Sequence, residues 1–270
     1  MIWRKEALKI GLFDSGIGGI SVLKKLTYIN GAHYIYIADT ERAPYGIKTP
    51  EVLESFIFEF AEFFHKKGVN EIFAACNTTD SIILEKNLDL GIKYNSIIKA
   101  AIQAPKSEKV GVIGTNITVS NGIYKKYLEM ENKEVYQKST QLFVSLVEEG
   151  IFYGRMVEAI ANYYLIPLKK KNIEELILGC THFPFLKGVI SRVLPKVRII
   201  DPAEELSKKL AKNNSKKAFV EFYVTGDPKV FEKKLKRINF RVPYTINKFK
   251  TKKVIQIEKP NYSDRVVGRW

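Results

Sequence analysis

The chain holds two cysteines, Cys76 and Cys180, and each follows an apolar run. Ile72 to Ala75 leads into Cys76, Asn77, Thr78 and Thr79, and Leu176 to Gly179 leads into Cys180, Thr181 and His182. In both places the pattern predicts a buried strand whose C-terminal end carries a thiol just before a helix opens. A cysteine is most often a small buried hydrophobe. Here it would also meet the unsatisfied N–H groups and positive end of a helix, which favour thiolate over an unperturbed pKa near ~8.5. One such thiol suggests a nucleophile. Two, from equivalent places in two halves of a chain, suggest a symmetric task. A thiolate on one side removes a proton from a carbon acid, and a thiol on the other side returns one to the opposite face.

Three other chemistries compete. A disulfide is disfavoured by a chain with two thiols and no export signal. For a metal site, His33 and His65 show no ligand-like spacing to either cysteine, which leaves His182 alone. A Cys–His hydrolase would give Cys76 no task.

The elements that must position these residues alternate. Residues 9–13 read as a buried strand, followed by a glycine turn, Asp14 to Gly19, and a helix from about Ile20. That turn looks like a dinucleotide loop, and Asp39, ending the next strand, sits where a ribose-binding acid would fall. The glycine fingerprint fails, with Ser21 at the third glycine position and Asp14 at the strand exit. Pro44-Tyr45-Gly46 alone reads as a turn in a plain connector. Thr49 as N-cap, Pro50 at the first helical position and Gly68 as the stop mark a helix. Another helix is expected over 79–88 and a short strand over 96–100. A second unit repeats the scheme: a strand over 110–115 ending in Gly-Thr, a helix through Thr118, a segment 143–150, a long helix to about residue 171, and strands over 174–178 and 197–201. The remainder gives a strand within 218–227, a lysine-rich helix, a strand near 253–257 and a loose tail over 259–270. Asp14 and Cys76 lie 62 residues apart, and Thr115 and Cys180 lie 65 apart. The expected fold is α/β: two pseudo-symmetric, open, largely parallel sheets, with the site in the cleft at their C-terminal ends. The expected division is 1–102 plus 210–258, then 103–209, then the tail 259–270.

Composition sets outer bounds. A 46% hydrophobic chain of 270 residues is packed and globular. No apolar run nears the ~20 residues of a membrane span, and a strand within about ten residues of the start leaves no room for a signal peptide. The cytoplasm is the expected compartment. The net charge of +15 is concentrated: residues 206–270 hold 18 Lys+Arg against 5 Asp+Glu. That quarter is either a solvated lysine-rich surface or a patch for nucleic acid or another polyanion.

The ordered motifs FDSGIGG (13–19), ADTERAPYG (38–46), ACNTT (75–79), GVIGTNIT (111–118), LILGCTHFP (176–184), IIDPAEEL (199–206) and FYVTGDP (222–228) resemble the glutamate racemases. These form part of the cofactor-independent aspartate/glutamate racemase superfamily, and GCTH favours the glutamate branch. The resemblance covers about residues 8–230. It implies interconversion of L- and D-glutamate, for peptidoglycan synthesis, without pyridoxal phosphate, metal or nucleotide. It makes Cys76 the base toward D-glutamate and Cys180 the base toward L-glutamate. Asp14 would assist Cys76, His182 would assist Cys180, and Glu148 would lie near the second thiol. Ser15, Pro44, Tyr45, Gly46, Asn77, Thr78, Thr115, Thr118 and Thr181 match the family's substrate-binding turns, which replaces the connector reading of 44–46. The family usually has a proline where Ser145 stands, and Ser139-Thr140-Gln141 also departs from its pattern. These positions are assigned to the rim of the second unit. A homodimer with no membrane partner is the expected assembly.

Overall fold

Strand β1 (Lys9–Asp14) buries five of its six residues in succession, so both its faces are covered. Such continuous burial belongs to a parallel sheet flanked by helices. The computed structural model describes residues 8–210 and 217–252. Every strand pair among them is parallel. Nine further strands follow among the described residues: β2 (His33–Ala38), β3 (Glu71–Phe73), β4 (Lys93–Asn95), β5 (Lys109–Gly114), β6 (Glu134–Ser139), β7 (Glu175–Gly179), β8 (Arg198–Ile200), β9 (Phe219–Val224) and β10 (Tyr244–Lys248). One sheet runs β10-β9-β2-β1-β3-β4 and the other β6-β5-β7-β8. The order β2-β1-β3-β4 is reproduced by β6-β5-β7-β8. The repeat read from sequence is therefore a repeat of topology, with β1 matching β5 and β3 matching β7. The fold is α/β with two parallel sheets, as expected.

Two adjacent central strands anchor each half, and their C-terminal ends carry the polar turns. The helix Pro50–Lys66 opens on Thr49, whose side chain accepts from Val52 N–H. It closes before Gly68, at φ +65°. Its apolar stripe, including Phe56, Phe60 and Phe64, packs on the first sheet beside Phe13.

Some elements differ from the sequence reading. Residues 96–100 are not a strand: the strand is Lys93–Asn95, and Ile97–Ala101 is a helix. Ser96 caps that helix by accepting from Lys99 N–H. The buried Asp80 carboxylate accepts from Ser96 Oγ and Ile98 N–H, which fixes the switch from extended to helical backbone. The helix after Cys76 is Asn77–Glu85, two residues earlier than expected. Strands β6 and β10 are additions, both at sheet edges. The helix through Thr118 is two, Asn116–Ser120 and Ile123–Met130, separated at Gly122 with φ +65°. The expected strand at 253–257 and the tail at 259–270 lie outside the described residues, as do 1–7 and 211–216. Among the described residues, no helix is long and apolar enough to cross a membrane.

Candidate functional site

The C-terminal ends of the two sheets meet around one shared, tightly closed pocket. The first sheet contributes Asp14, Ser15, Pro44, Tyr45, Gly46, Cys76 and Thr78. The second contributes Thr115, Gln141, Val144, Cys180, Thr181 and His182. Both cysteines, buried and not joined to each other, line this one space. Among the described residues the lining offers hydroxyls, thiols and backbone N–H groups but no Lys or Arg. Carboxylates can be held by such donors at helix and strand ends.

Cys76 stands in extended conformation at the N-cap of helix Asn77–Glu85. Its carbonyl accepts from Asp80 N–H and Thr79 Oγ1. Burial nevertheless pushes its thiol well up, and the nearby Asp14 carboxylate pushes it further. The Thr79 backbone and hydroxyl act in the opposite direction and do not prevail. The depressed pKa expected from the helix N-terminus alone is thus outweighed by desolvation. Asp14, fully buried at the end of β1, is itself raised by burial, against the pull of His182. Gly16 N–H donates to its Oδ1 at 2.8 Å and Thr181 Oγ1 to its Oδ2 at 3.2 Å. That second bond crosses from one sheet to the other.

Cys180 has a different setting. It lies two residues before the N-cap, His182, of a 3₁₀ turn, Phe183–Leu186, that runs on into the helix Lys187–Val193, so unlike Cys76 it does not itself cap an α-helix. Its neighbour is His182, with Nδ1 at 3.5 Å from Sγ. His182 Nε2 lies 2.7 Å from Glu148 Oε1, and Lys234 Nζ lies 2.5 Å from Glu148 Oε2. Ile17 N–H adds a bond to Oε1 at 3.2 Å. Burial would lower the His182 pKa, yet the Cys180 sulfur and the Glu148 carboxylate hold it well above its ordinary 6.5. Burial would raise Glu148, yet His182 and Lys234 bring it down to about 2. Two proton placements fit the same atoms. A thiol can donate to a neutral Nδ1, or an imidazolium Nδ1–H can donate to a thiolate, with Nε2–H on Glu148 in both.

The predicted residues that do not line the cavity sit directly behind it. Thr118 is fully buried, with its hydroxyl 3.0 Å from Thr115 Oγ1, which is 3.0 Å from Thr78 Oγ1. This chain of three hydroxyls spans the two sheets. Asn77 Oδ1 accepts from Tyr124 OH at 2.6 Å. Glu148 stands behind His182. Gln141 and Val144, both in the cavity wall, are not among the predicted site residues. The family pattern puts position 141 on the rim, but residues 140–141 directly follow β6 at its C-terminal end, which is where this fold gathers its ligand groups. Lys234 also escapes the sequence reading, because its signal is submerged in a lysine-rich stretch.

The glycine turn serves protein contacts rather than a phosphate. A Cβ on Gly16 would lie 2.5 Å from Glu148 Oε1, and one on Gly18 would lie 2.4 Å from His182 Nδ1. The second sheet's polar side chains come so close that no side chain fits between. Asp39 is fully buried and binds Arg42 Nε at 2.8 Å and Tyr45 OH at 2.5 Å. It anchors the loop that presents Pro44, after a cis peptide, and Gly46 to the cavity.

Residues 12–210 match the family model described as Asp/Glu/Hydantoin racemase. A glutamate racemase from Carboxydothermus hydrogenoformans is 39% identical over 240 residues, covering 83% of this chain and 89% of that one. The solved glutamate racemase from Francisella tularensis, in complex with D-glutamate, superposes with a TM-score of 0.82. It is 33% identical and covers 90% of this chain and 98% of the other. The Thermus thermophilus enzyme, in complex with β-chloro-D-alanine, has a TM-score of 0.81 at 35% identity, covering 90% and 97%.

Proposed function

The chain belongs to the Asp/Glu/hydantoin racemase family, and on that premise we propose that it is a glutamate racemase working by two-base proton transfer. The observation that carries this reading is that Cys76 and Cys180, from different sheets, line one small cavity. The Cys76 thiolate takes the Cα proton of D-glutamate, leaving a carbanion stabilised by the hydroxyls and N–H groups around its carboxylate. The Cys180 thiol protonates the opposite face, giving L-glutamate. Cys76 ends as thiol and Cys180 as thiolate, the state that runs the reverse reaction. Asp14, whose buried carboxyl favours protonation, takes the proton when Cys76 ionises. His182, oriented by Glu148, does the same for Cys180. Ser15, Pro44, Tyr45, Gly46, Thr78, Thr115 and Thr181 hold the substrate, with Asn77 and Thr118 behind them.

No cofactor enters this scheme. The enzyme works in the cytoplasm, where its D-glutamate supplies peptidoglycan synthesis. A homodimer is the assembly that the exposed Tyr153, Met156 and Tyr163 favour.

Racemisation in D₂O tests the chemistry. With either enantiomer of glutamate and no added cofactor, the newly formed enantiomer carries deuterium at Cα. Product that keeps the substrate's own α-hydrogen throughout would falsify the two-base assignment. Aspartate, assayed in parallel, racemises far more slowly, and equal rates overturn the glutamate specificity.

A further inference from the structure

Lys234 belongs to none of the motifs that mark the cysteines. It sits on the helix Pro228–Arg237, which packs on the first sheet through the buried Phe231 and Leu235. Glu148 ends the helix Leu142–Glu148 of the second unit. The two charges meet across the cleft at 2.5 Å, with the Glu148 side chain 23% exposed and that of Lys234 30% exposed. On the other side, Glu148 reaches His182, which is 2% exposed and touches Cys180. Four groups therefore form a line: Lys234 ammonium, Glu148 carboxylate, His182 imidazole, Cys180 thiol. One helical turn on, Arg237 NH1 donates to Glu149 O at 3.0 Å, pinning the same helix end.

We propose that Lys234 is a positioning residue for the proton transfer at Cys180. Its ammonium holds Glu148 in place and ionised, so that Glu148 keeps the His182 ring turned with Nδ1 toward Cys180. It also ties this alignment to closure of the two sheets on each other, since the lysine and the carboxylate come from opposite sides.

A carboxylate this enclosed needs compensation for lost hydration, and a single histidine partner supplies it only while that ring is charged. His182 has to change its protonation state during turnover. Without a second, permanent cation, Glu148 would gain and lose its counter-charge in each cycle. Lys234 keeps one counter-charge constant. The groups facing Glu148 are His182, Lys234 and the Ile17 N–H in contact, with Asp14 and Tyr36 acting at longer range. Both longer-range groups lie on the first sheet, so loss of Lys234 leaves the carboxylate near another acid, Asp14.

Lys234's role rests on the racemase reading, and the wild-type assay separates the two. If wild-type protein does not racemise glutamate, the activity reading fails first. If it does, three variants decide the further point. Lys234→Met lowers kcat about 10- to 100-fold, the usual cost of loosening a reacting group's alignment, with KM changed far less. The acid limb of its kcat profile moves to higher pH, because Glu148 has lost one of the two groups that keep it ionised. Lys234→Arg restores most of kcat and the original acid limb. Lys233→Met removes the same charge from an exposed neighbour and leaves both unchanged. Thermal unfolding of each variant confirms folding. A folded Lys234→Met variant with wild-type kcat and an unmoved acid limb overturns the proposal. So does a loss that Lys234→Arg fails to rescue, since that indicates a packing role only.

Discussion

Cys76 and Cys180 carry the same sulfur chemistry in unlike settings. Cys76 caps a nine-residue helix and faces a carboxylate, Asp14. Cys180 does not cap its helical stretch and faces an imidazole instead. Each thiol has a neighbour able to accept its proton, but one neighbour is anionic when ionised and the other cationic. A thiolate at Cys76 relies on Thr79 and the helix N-terminus, whereas Cys180 has the His182 ring beside it. Cys76→Ser and Cys180→Ser each remove one base, because an alcohol is a far weaker acid than a thiol. Each lowers racemisation by about 10³-fold or more. The remaining thiol still exchanges one enantiomer. Cys180→Ser washes solvent deuterium slowly into D-glutamate, and Cys76→Ser into L-glutamate, both without inversion. Proton NMR in D₂O reads this directly. The opposite pairing of variant and enantiomer reverses the assignment of the two cysteines, and near-normal turnover in either variant removes that cysteine from the mechanism.

Elements with two buried faces are legible in the sequence. Strands β1, β5 and β7 each carry an unbroken apolar run, and the helix Pro50–Lys66 carries its caps in its own residues. Of the edge strands, β8 is read at 197–201, but β6 and β10 are not. Strand β6 has no fully buried residue and β10 is mostly exposed, because each pairs on one side only. Local pattern carries little signal when a strand's place is set by its neighbour's open hydrogen bonds. Residues 96–101 mislead for a related reason: the apolar Ile97 and Ile98 suit a strand or a helix, and the distant Asp80 carboxylate decides. The glycine turn resembles a phosphate loop until the second sheet is brought against it. That contact yields a prediction at the same scale. A methyl at Gly18 would sit 2.4 Å from His182 Nδ1 and 2.8 Å from Thr181 Oγ1. Gly18→Ala must push His182 away from Cys180. It lowers kcat by about 10- to 100-fold and costs roughly 1–3 kcal/mol of stability as overpacking. At Gly188 an added methyl would meet nothing within 4 Å, so this position accepts alanine without loss of activity. Steady-state kinetics and thermal melts on the two variants compare them. Equal activity would mean that the loop yields and that His182 tolerates displacement.

At the scale of the whole molecule, the two sheets share one apolar cluster and are bridged at the cavity by polar groups. Thr181 reaches Asp14, Thr78 reaches Thr115, Tyr124 reaches Asn77, and Ser21 Oγ donates to Thr181 O at 3.0 Å. Polar seams of this kind form and break with little net gain, since water can replace each bond. A ligand whose two ends engage both sheets adds a bond set that water cannot reproduce in one piece. On the proposed reading, glutamate, with carboxylates at both ends, engages Ser15 and Thr78 on one side and Thr181 on the other. Aspartate is one methylene shorter and must leave some donors unmatched, a loss of about 1–3 kcal/mol. Binding only the folded state at ~100 times Kd stabilises it by about 2.7 kcal/mol, which for a chain this size shifts Tm by several degrees. Glutamate of either hand therefore raises Tm, and aspartate at the same concentration raises it far less. Because no Lys or Arg among the described residues lines the cavity, the shift persists at high salt, where exposed charge pairs are screened. Cys76→Ser keeps the shift while losing turnover, which separates clamping from chemistry. Equal shifts from the two acids would mean that the ligand seats on one sheet alone and that the cavity does not bridge the seam.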